Sequence, residues 1–209
     1  MHVPDKWDMS AQLFIHQFIH QFIQQYGFAA VITDDLDCSH LPLLLAPLEG
    51  QHGTLYGHFA RTNPHWKQAE GATVLCIFNG PHAYISPTWY DSQPAVPTWN
   101  YSVVHAKGRL ELLDDATTVQ VLESTIEQYE PSLLDNGGFI PQGYQDKLAK
   151  GIVGFKIVID ELQGKQKLGQ HRHQRDQQGV AQGLSQSTRT DEKQLLDYMV
   201  RHNIGLGNQ

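Results

Sequence analysis

What most constrains this chain is a series of short apolar runs with a period of two, separated by Gly, Pro, Asn and Asp. No helical segment alternates regularly with them. Residues 28–33, 40–45, 53–59, 73–78, 83–86, 101–113 and 153–159 all read as strands. A parallel sheet needs a crossover helix between consecutive strands. Six or more strands without that alternation therefore predict an antiparallel barrel or sandwich carrying helical insertions. Residues 34–37 read as a turn, 87–97 as an irregular Pro- and aromatic-rich loop, and Gln163-Gly164 as a second turn. Pro42 marks its run as an edge strand or a bulge, and Gly108 is a candidate bend in a long strand.

Helices flank and interrupt this pattern. Over residues 10–26, Phe14-Ile15, Phe18-Ile19, Phe22-Ile23 and Tyr26 form one apolar stripe. Ser10 suits its N-cap, and Gly27 sits where a left-handed C-terminal residue is wanted. His16 and His20, four apart, have a spacing that can hold zinc, but no third ligand is near and the face reads as polar His/Gln. Asn63 and Pro64 suit the cap and first position of a short helix. Further helices are expected over 116–129 and 144–150. The polar last stretch, 175–209, reads as two helical pieces, the second over 191–202, docked loosely or mobile.

The 209 residues carry a formal charge of −7, from 15 basic and 22 acidic side chains. That balance works against direct DNA binding, which neutralises phosphates with Lys and Arg. No apolar run approaches the roughly 20 residues that span a bilayer, and the N-terminus lacks a secretory layout. A cytoplasmic location is expected. Cys38 and Cys76 then read as two reduced thiols, and no metal site is expected.

Three segments carry more special residues than a core requires. Residues 56–67, YGHFARTNPHWK, gather Arg61, Thr62 and Lys67 at a helix start, chemistry suited to a phosphate. Residues 80–101 concentrate aromatics with polar tips, including Trp89, Trp99 and Tyr101, which suit a flat ligand or a partner subunit. Residues 165–175, KQKLGQHRHQR, follow a strand with a basic, amide-rich run able to reach an anion. Walker, GxGxxG, GxSxG and HExxH patterns do not occur.

The succession VPDKW, LYGHFARTNPHWK, GPHAYISPTWY, AVPTWNYSVVHAKGRLELL and GIVGF…KLGQHR resembles the PaiB-type family of FMN-binding negative transcriptional regulators. The likeness runs from about Val3 to about Leu184. The resemblance implies an antiparallel six-stranded split β-barrel with an N-terminal helix over 1–184, and a helical tail over 185–209. It also implies FMN, and a homodimer with the flavin at the subunit interface. By the same resemblance the phosphate sits near Arg61, Thr62 and Lys67. His40, Leu41, Pro42, Leu43, Gly57 and His58 line the isoalloxazine or ribityl chain. Trp99, Asn100, Tyr101, Lys167, Gln170 and Arg172 come across from the partner. The family ends this motif KLSQNR; here Gly169 and His171 replace the Ser and the Asn.

The resemblance implies a regulatory role. Two alternatives stand beside it. One is a flavin reductase or pyridoxamine-phosphate-oxidase-like oxidoreductase using NAD(P)H or another small molecule. The other is a haem protein with His58, His65, His82 or His105 on iron.

Overall fold

The computed structural model describes residues 1–9, 15–135 and 149–208. Its strands are β1 (Phe28–Ile32), β2 (Cys38–Pro42), β3 (Leu44–Ala46), β4 (Thr54–Ala60), β5 (Thr73–Ile85), β6 (Thr98–Leu112) and β7 (Ile152–Lys167). The helices are α1 (Ile15–Gln25), α2 (His65–Ala69), α3 (Asp115–Tyr129), α4 (Ser132–Asp135), α5 (Gln174–Ser185) and α6 (Thr190–His202). The strands pair in the order β2-β1-β5-β6-β7-β4-β3. Every pairing with an assigned register is antiparallel. The chain divides into two compact units, and β5, β6 and β7 each contribute to both.

One unit comprises His20–Phe78 and His105–Leu162. Here the run expected as one strand over 40–45 serves two neighbours. β2 pairs with β1 from Phe28↔Pro42 to Ile32↔Cys38, and β3 pairs with β4 from Leu44↔Tyr56 to Ala46↔Thr54. Between them Leu43 N–H donates to the Gly27 carbonyl at 2.8 Å. Pro42 ends the edge strand β2, where its missing N–H removes no central ladder bond. On β4, Leu55, Gly57 and Phe59 point inward as period two requires, and the Phe59 and Phe155 rings lie 4.7 Å apart. Each fully buried side chain of this kind contributes about 1.5–3 kcal/mol.

Two glycines in this unit serve close approach rather than the roles expected of them. Gly27 does not adopt positive φ; a Cβ there would lie 3.0 Å from the Leu43 carbonyl oxygen and 3.1 Å from Tyr129 Oη. Gly108 is not a bend but lies within β6, where a Cβ would meet the Val158 carbonyl oxygen at 2.0 Å. α3 begins one residue before the predicted start, capped by Asp114, whose carboxylate accepts the Thr117 N–H at 2.7 Å.

The other unit comprises Met1–Ile19, Asn79–Val104 and Gln163–Gln209. The strands expected over 73–78 and 83–86 are one strand, β5, and Pro81 does not break it. The β1 pairing ends at Phe78, so Pro81 takes no donor from that ladder. The expected turn at Gln163-Gly164 is likewise absent: β7 runs straight through. Gly164 is small because Met9 packs on it, with Sδ 2.4 Å from where a Cβ would stand. The C-terminal helices are docked, not loose. Leu184, Leu195 and Met199 are fully buried and Tyr198 is 1% exposed. Gly179 and Gly183, one turn apart on α5, receive the backbone and ring of Trp89.

Ser10, Phe14, the side chains of Ile15 and His16, and nearly all of the expected helix over 144–150 lie outside the described residues. Among the described residues no helix is long and apolar enough to cross a membrane.

Candidate functional site

The site residues read from the sequence fall into two sets, one in each unit. In the His20–Phe78 unit, β4 carries Gly57 and His58 and runs out into Arg61 and Thr62, with Lys67 on α2. Arg61, Thr62 and Lys67 are all exposed. The Arg61 guanidinium is fixed on one side: Nε–H donates to the Lys150 carbonyl at 2.8 Å and Nη2–H to the Ile152 carbonyl at 2.7 Å. Guanidinium has five N–H donors in a planar fork, so Nη1 and the second Nη2 proton remain for an acceptor. Trp66 Nε1–H donates to the Arg61 carbonyl at 3.2 Å, and Lys67 Nζ lies 5.4 Å from the Trp66 ring centroid. α2 has only five residues, so its dipole adds little; the Arg and Lys charges dominate.

His40 is exposed on the edge strand, and Leu41 and Pro42 are half-buried. Leu43 is 1% exposed. It packs over Gly57, where a Cβ would stand 2.7 Å from Leu43 Cδ2 and 2.8 Å from Phe155 Cζ. Leu43 and Gly57 therefore back the wall from within the core. Burial holds the half-buried His58 below the usual imidazole range.

Behind Arg61 and Lys67 the sequence concealed a polar chain. His65 is 3% exposed, with Nδ1 2.8 Å from Ser39 Oγ and Nε2 2.9 Å from Thr33 Oγ1. Thr33 Oγ1–H donates to Asp35 Oδ1, and Asn63 Nδ2–H donates to Ser39 Oγ at 2.9 Å. Asn63 Oδ1 accepts the His65 N–H at 3.1 Å, performing the capping expected of it although the helix starts one residue later than predicted. Both ring nitrogens of His65 are thus engaged, which removes it as an iron ligand. Among the described residues no three His, Cys, Asp or Glu side chains are grouped to hold a metal ion.

The second set lies in the other unit. Trp99, Asn100 and Tyr101 follow one another on β6. Trp99 is 43% exposed, and its Nε1–H donates to His82 Nδ1 at 3.4 Å. Asn100 is 2% exposed, and among the described residues its Nδ2 has no hydrogen-bond partner. Lys167 Nζ donates to Thr98 Oγ1 and, at 3.0 Å, to the Trp99 carbonyl. Its pKa is lowered first by burial and then by the charges of Lys165, Arg172 and Lys6. The Arg172 guanidinium lies 4.3 Å from the Tyr90 ring centroid.

Gln170 bonds within its own turn and to the N-terminal segment. Its Nε2 donates to the Gln166 carbonyl at 2.7 Å and the Lys6 carbonyl at 3.2 Å, while Oε1 accepts the Leu168 N–H at 2.8 Å. The amide is consumed in shaping the turn. Gly169 adopts φ +81° there, which explains the glycine in KLGQHR. Lys6, Trp7 and Lys165 lie next to Lys167 without belonging to the expected flavin contacts; Lys165 is part of the basic run read from the sequence, and Lys6 and Trp7 come from the other end of the chain. Trp7 meets β7 only through the fold, across nearly the whole chain.

An antiparallel seven-stranded sheet with helical insertions, bearing exposed cationic and aromatic side chains, defines a protein of the split-barrel class. Two solved structures share this fold. They are the flavocytochrome Anf3 from Azotobacter vinelandii (TM-score 0.53, 14% identity, 73% of this chain and 67% of that one) and an FAD- and haem-binding protein from Mycobacterium smegmatis (TM-score 0.51, 14% identity, 73% and 71%). At that identity the likeness is one of fold. The chain belongs to the family described as "Putative FMN-binding domain", matched over residues 1–161. It is also 37% identical over 181 residues to the Bacillus subtilis protease synthase and sporulation protein PAI 2, covering 82% of this chain and 85% of that protein. FMN is accordingly the cofactor of this protein's family, and the PaiB-type resemblance holds. Among the described residues the sheet has seven strands rather than six.

The residues present fit such a group. The Asn100 amide is a buried donor without an acceptor among the described residues, and Arg61 presents an unspent N–H edge.

Proposed function

We propose that this chain binds one FMN per subunit in a cytoplasmic homodimer, with the phosphate at Arg61, Thr62 and Lys67. The observation that carries this reading is the guanidinium of Arg61, anchored on two backbone carbonyls with its outer edge open. Such anchoring lowers the entropy lost when an anion is gripped. His40, Leu41, Pro42 and His58 line the ribityl chain or isoalloxazine, with Leu43 and Gly57 behind them. Trp99, Asn100, Tyr101, Lys167 and Arg172 reach the flavin from the partner subunit, and Gln170 holds their turn in shape. Bound FMN supplies hydride and single-electron chemistry; the chain supplies position, charge and exclusion of water.

The output of the flavin-loaded dimer is regulatory, as the resemblance to the PaiB-type family implies, and direct contact with DNA is disfavoured. The charge of −7 supports that choice.

Equilibrium dialysis against FMN and riboflavin tests the placement. Arg61→Ala removes charge-assisted bonds of about 1.5–3 kcal/mol, so FMN affinity falls roughly ten- to a hundredfold. Riboflavin, which lacks the phosphate, is affected little. Equal losses for both flavins refute the assignment.

A further inference from the structure

We infer that the unit formed by Met1–Ile19, Asn79–Val104 and Gln163–Gln209 carries a second site, built around Trp7, for the phosphate group of a small phosphate monoester. Three ammonium groups surround one indole: Lys6 Nζ lies 4.6 Å from the Trp7 ring centroid, Lys165 Nζ 5.5 Å and Lys167 Nζ 5.6 Å. His171 closes on the same ring edge-on, at 5.7 Å.

This concentration of charge runs against the composition of the chain, which is acidic overall. Among the described residues, Lys107, Lys156, Arg175 and Arg189 have carboxylates within ion-pairing distance. No such ion pair is formed by Lys6, Lys165 or Lys167. Lys165 is 8% exposed and its ammonium donates to the His2 carbonyl at 3.0 Å. Lys167 is held by the Thr98 hydroxyl and the Trp99 carbonyl. These neutral acceptors orient the ammonium groups without cancelling their charge. Lys167 and His171 both have lowered pKa values, from burial first and neighbouring cations second.

The ammonium groups are not the only unspent donors of the cluster. Besides the spare ammonium protons, Trp7 Nε1 is buried with no acceptor among the described residues. A group with several anionic oxygens at one point satisfies this surplus, and a phosphate dianion does so with the fewest atoms. Beside the cluster lies a cavity of about 350 Å³, bordered by Lys6, Trp7, Asp8, Gln177 and the backbone of Gly205 and Gly207. It gives room for the polar body of an ester rather than for an ion alone. Asp5 and Asp8 on its border favour a body that offers hydroxyl or amino donors.

The flavin reading uses Lys167 but neither Lys6, Trp7 nor Lys165, so the two sites can be separated by experiment. Inorganic phosphate and phenyl phosphate are titrated calorimetrically into full-length protein, first without flavin and then saturated with FMN. With the flavin's own phosphate site filled by FMN, we expect both probes still to bind saturably at one site per chain. The double variant Lys6→Gln/Lys165→Gln should weaken phosphate binding at least tenfold while leaving FMN affinity within twofold. Lys107→Gln, which removes a cation already paired with Glu161, should leave phosphate binding unchanged and controls for net charge. Circular dichroism verifies that each variant is folded. Trp7→Phe, retaining an aromatic ring but not the N–H, should weaken phosphate by a few fold and provides a milder test if the double variant unfolds.

Absence of saturable phosphate binding overturns the inference and makes the cluster a purely structural cation–aromatic contact. Loss of all phosphate binding on saturation with FMN also overturns it, by merging the cluster with the flavin site. Failure of FMN to bind while phosphate binds refutes the flavin reading alone.

Discussion

Replacing His65 with phenylalanine should destabilise the protein by about 2–4 kcal/mol, chiefly by orphaning a single hydroxyl proton. Thr33 spends its proton on Asp35, so Thr33 Oγ1 must accept from His65 Nε2–H. With its proton on Nε2, His65 accepts at Nδ1, and Ser39 is the donor; Ser39 Oγ in turn accepts from Asn63. The chain runs in one direction, Asn63 to Ser39 to His65 to Thr33 to Asp35. Phenylalanine preserves the edge contact of the ring on Phe59, at 5.5 Å, but takes away the acceptor for Ser39, which is 8% exposed. An unsatisfied buried donor costs about 1–3 kcal/mol, and the lost bond to Thr33 about 1 more. Ser39→Ala in the same background removes the orphaned proton. The double variant should therefore be at least about 1 kcal/mol more stable than the sum of the single losses. Urea denaturation of the four proteins, analysed with a common m-value, measures this coupling. Additivity within about 0.5 kcal/mol would refute the proposed direction of the chain.

Other consequences follow from packing and burial. Cys76 is buried and its thiol is pushed up to about 12, whereas Cys38 is exposed. At pH 8 a thiol reagent should titrate one cysteine in the native protein and both in denaturant; rapid native labelling of both contradicts the buried position. Because the folded thiol ionises above its ordinary value of 9.0, the unfolded chain releases its proton first, and stability should fall as pH rises from 9.0 toward about 12. Gly183→Ala places a methyl 2.4 Å from Trp89 Cδ2, so thermal unfolding should report a loss of about 1–3 kcal/mol from overpacking; no change would mean that Trp89 is seated elsewhere. Leu195→Ala, at a fully buried position of α6, should cost about 2–5 kcal/mol, and a neutral result would return the C-terminal helix to the loosely docked state its composition suggests.

The strand pattern was legible because it depends on side-chain alternation, which any one segment carries by itself. Leu55, Gly57 and Phe59 turn inward on β4 as their spacing requires, and Pro42 ends an edge strand. Glycine was less legible. The sequence shows where a side chain is missing but not what fills the space. Gly164 read as a turn because Met9, which packs on it, is far away along the chain, and the same holds for Gly108 beneath the β7 backbone. The tail misled through its average polarity. Its stripe of Leu195, Tyr198 and Met199, spaced three and four apart, is narrow but fully used.

The candidate site divides along the same line. Arg61, Thr62 and Lys67 are close in sequence and were legible as a group. Lys6 and Trp7 meet Lys165 and Lys167 only once β7 runs unbroken to Lys167, an association no local pattern carries. His65 looked like one histidine among 12. Its role depends on Thr33 and Ser39, which only the pairing of β1 with β2 brings together.

The central claim is that this chain holds FMN. The most direct measurement is a titration of wild-type protein into a fixed concentration of FMN, read by flavin emission and absorbance. Saturable changes in both signals with a stoichiometry of one FMN per chain are predicted. Flavin emission and absorbance that stay unchanged at concentrations of folded protein well above those of the flavin would contradict the account.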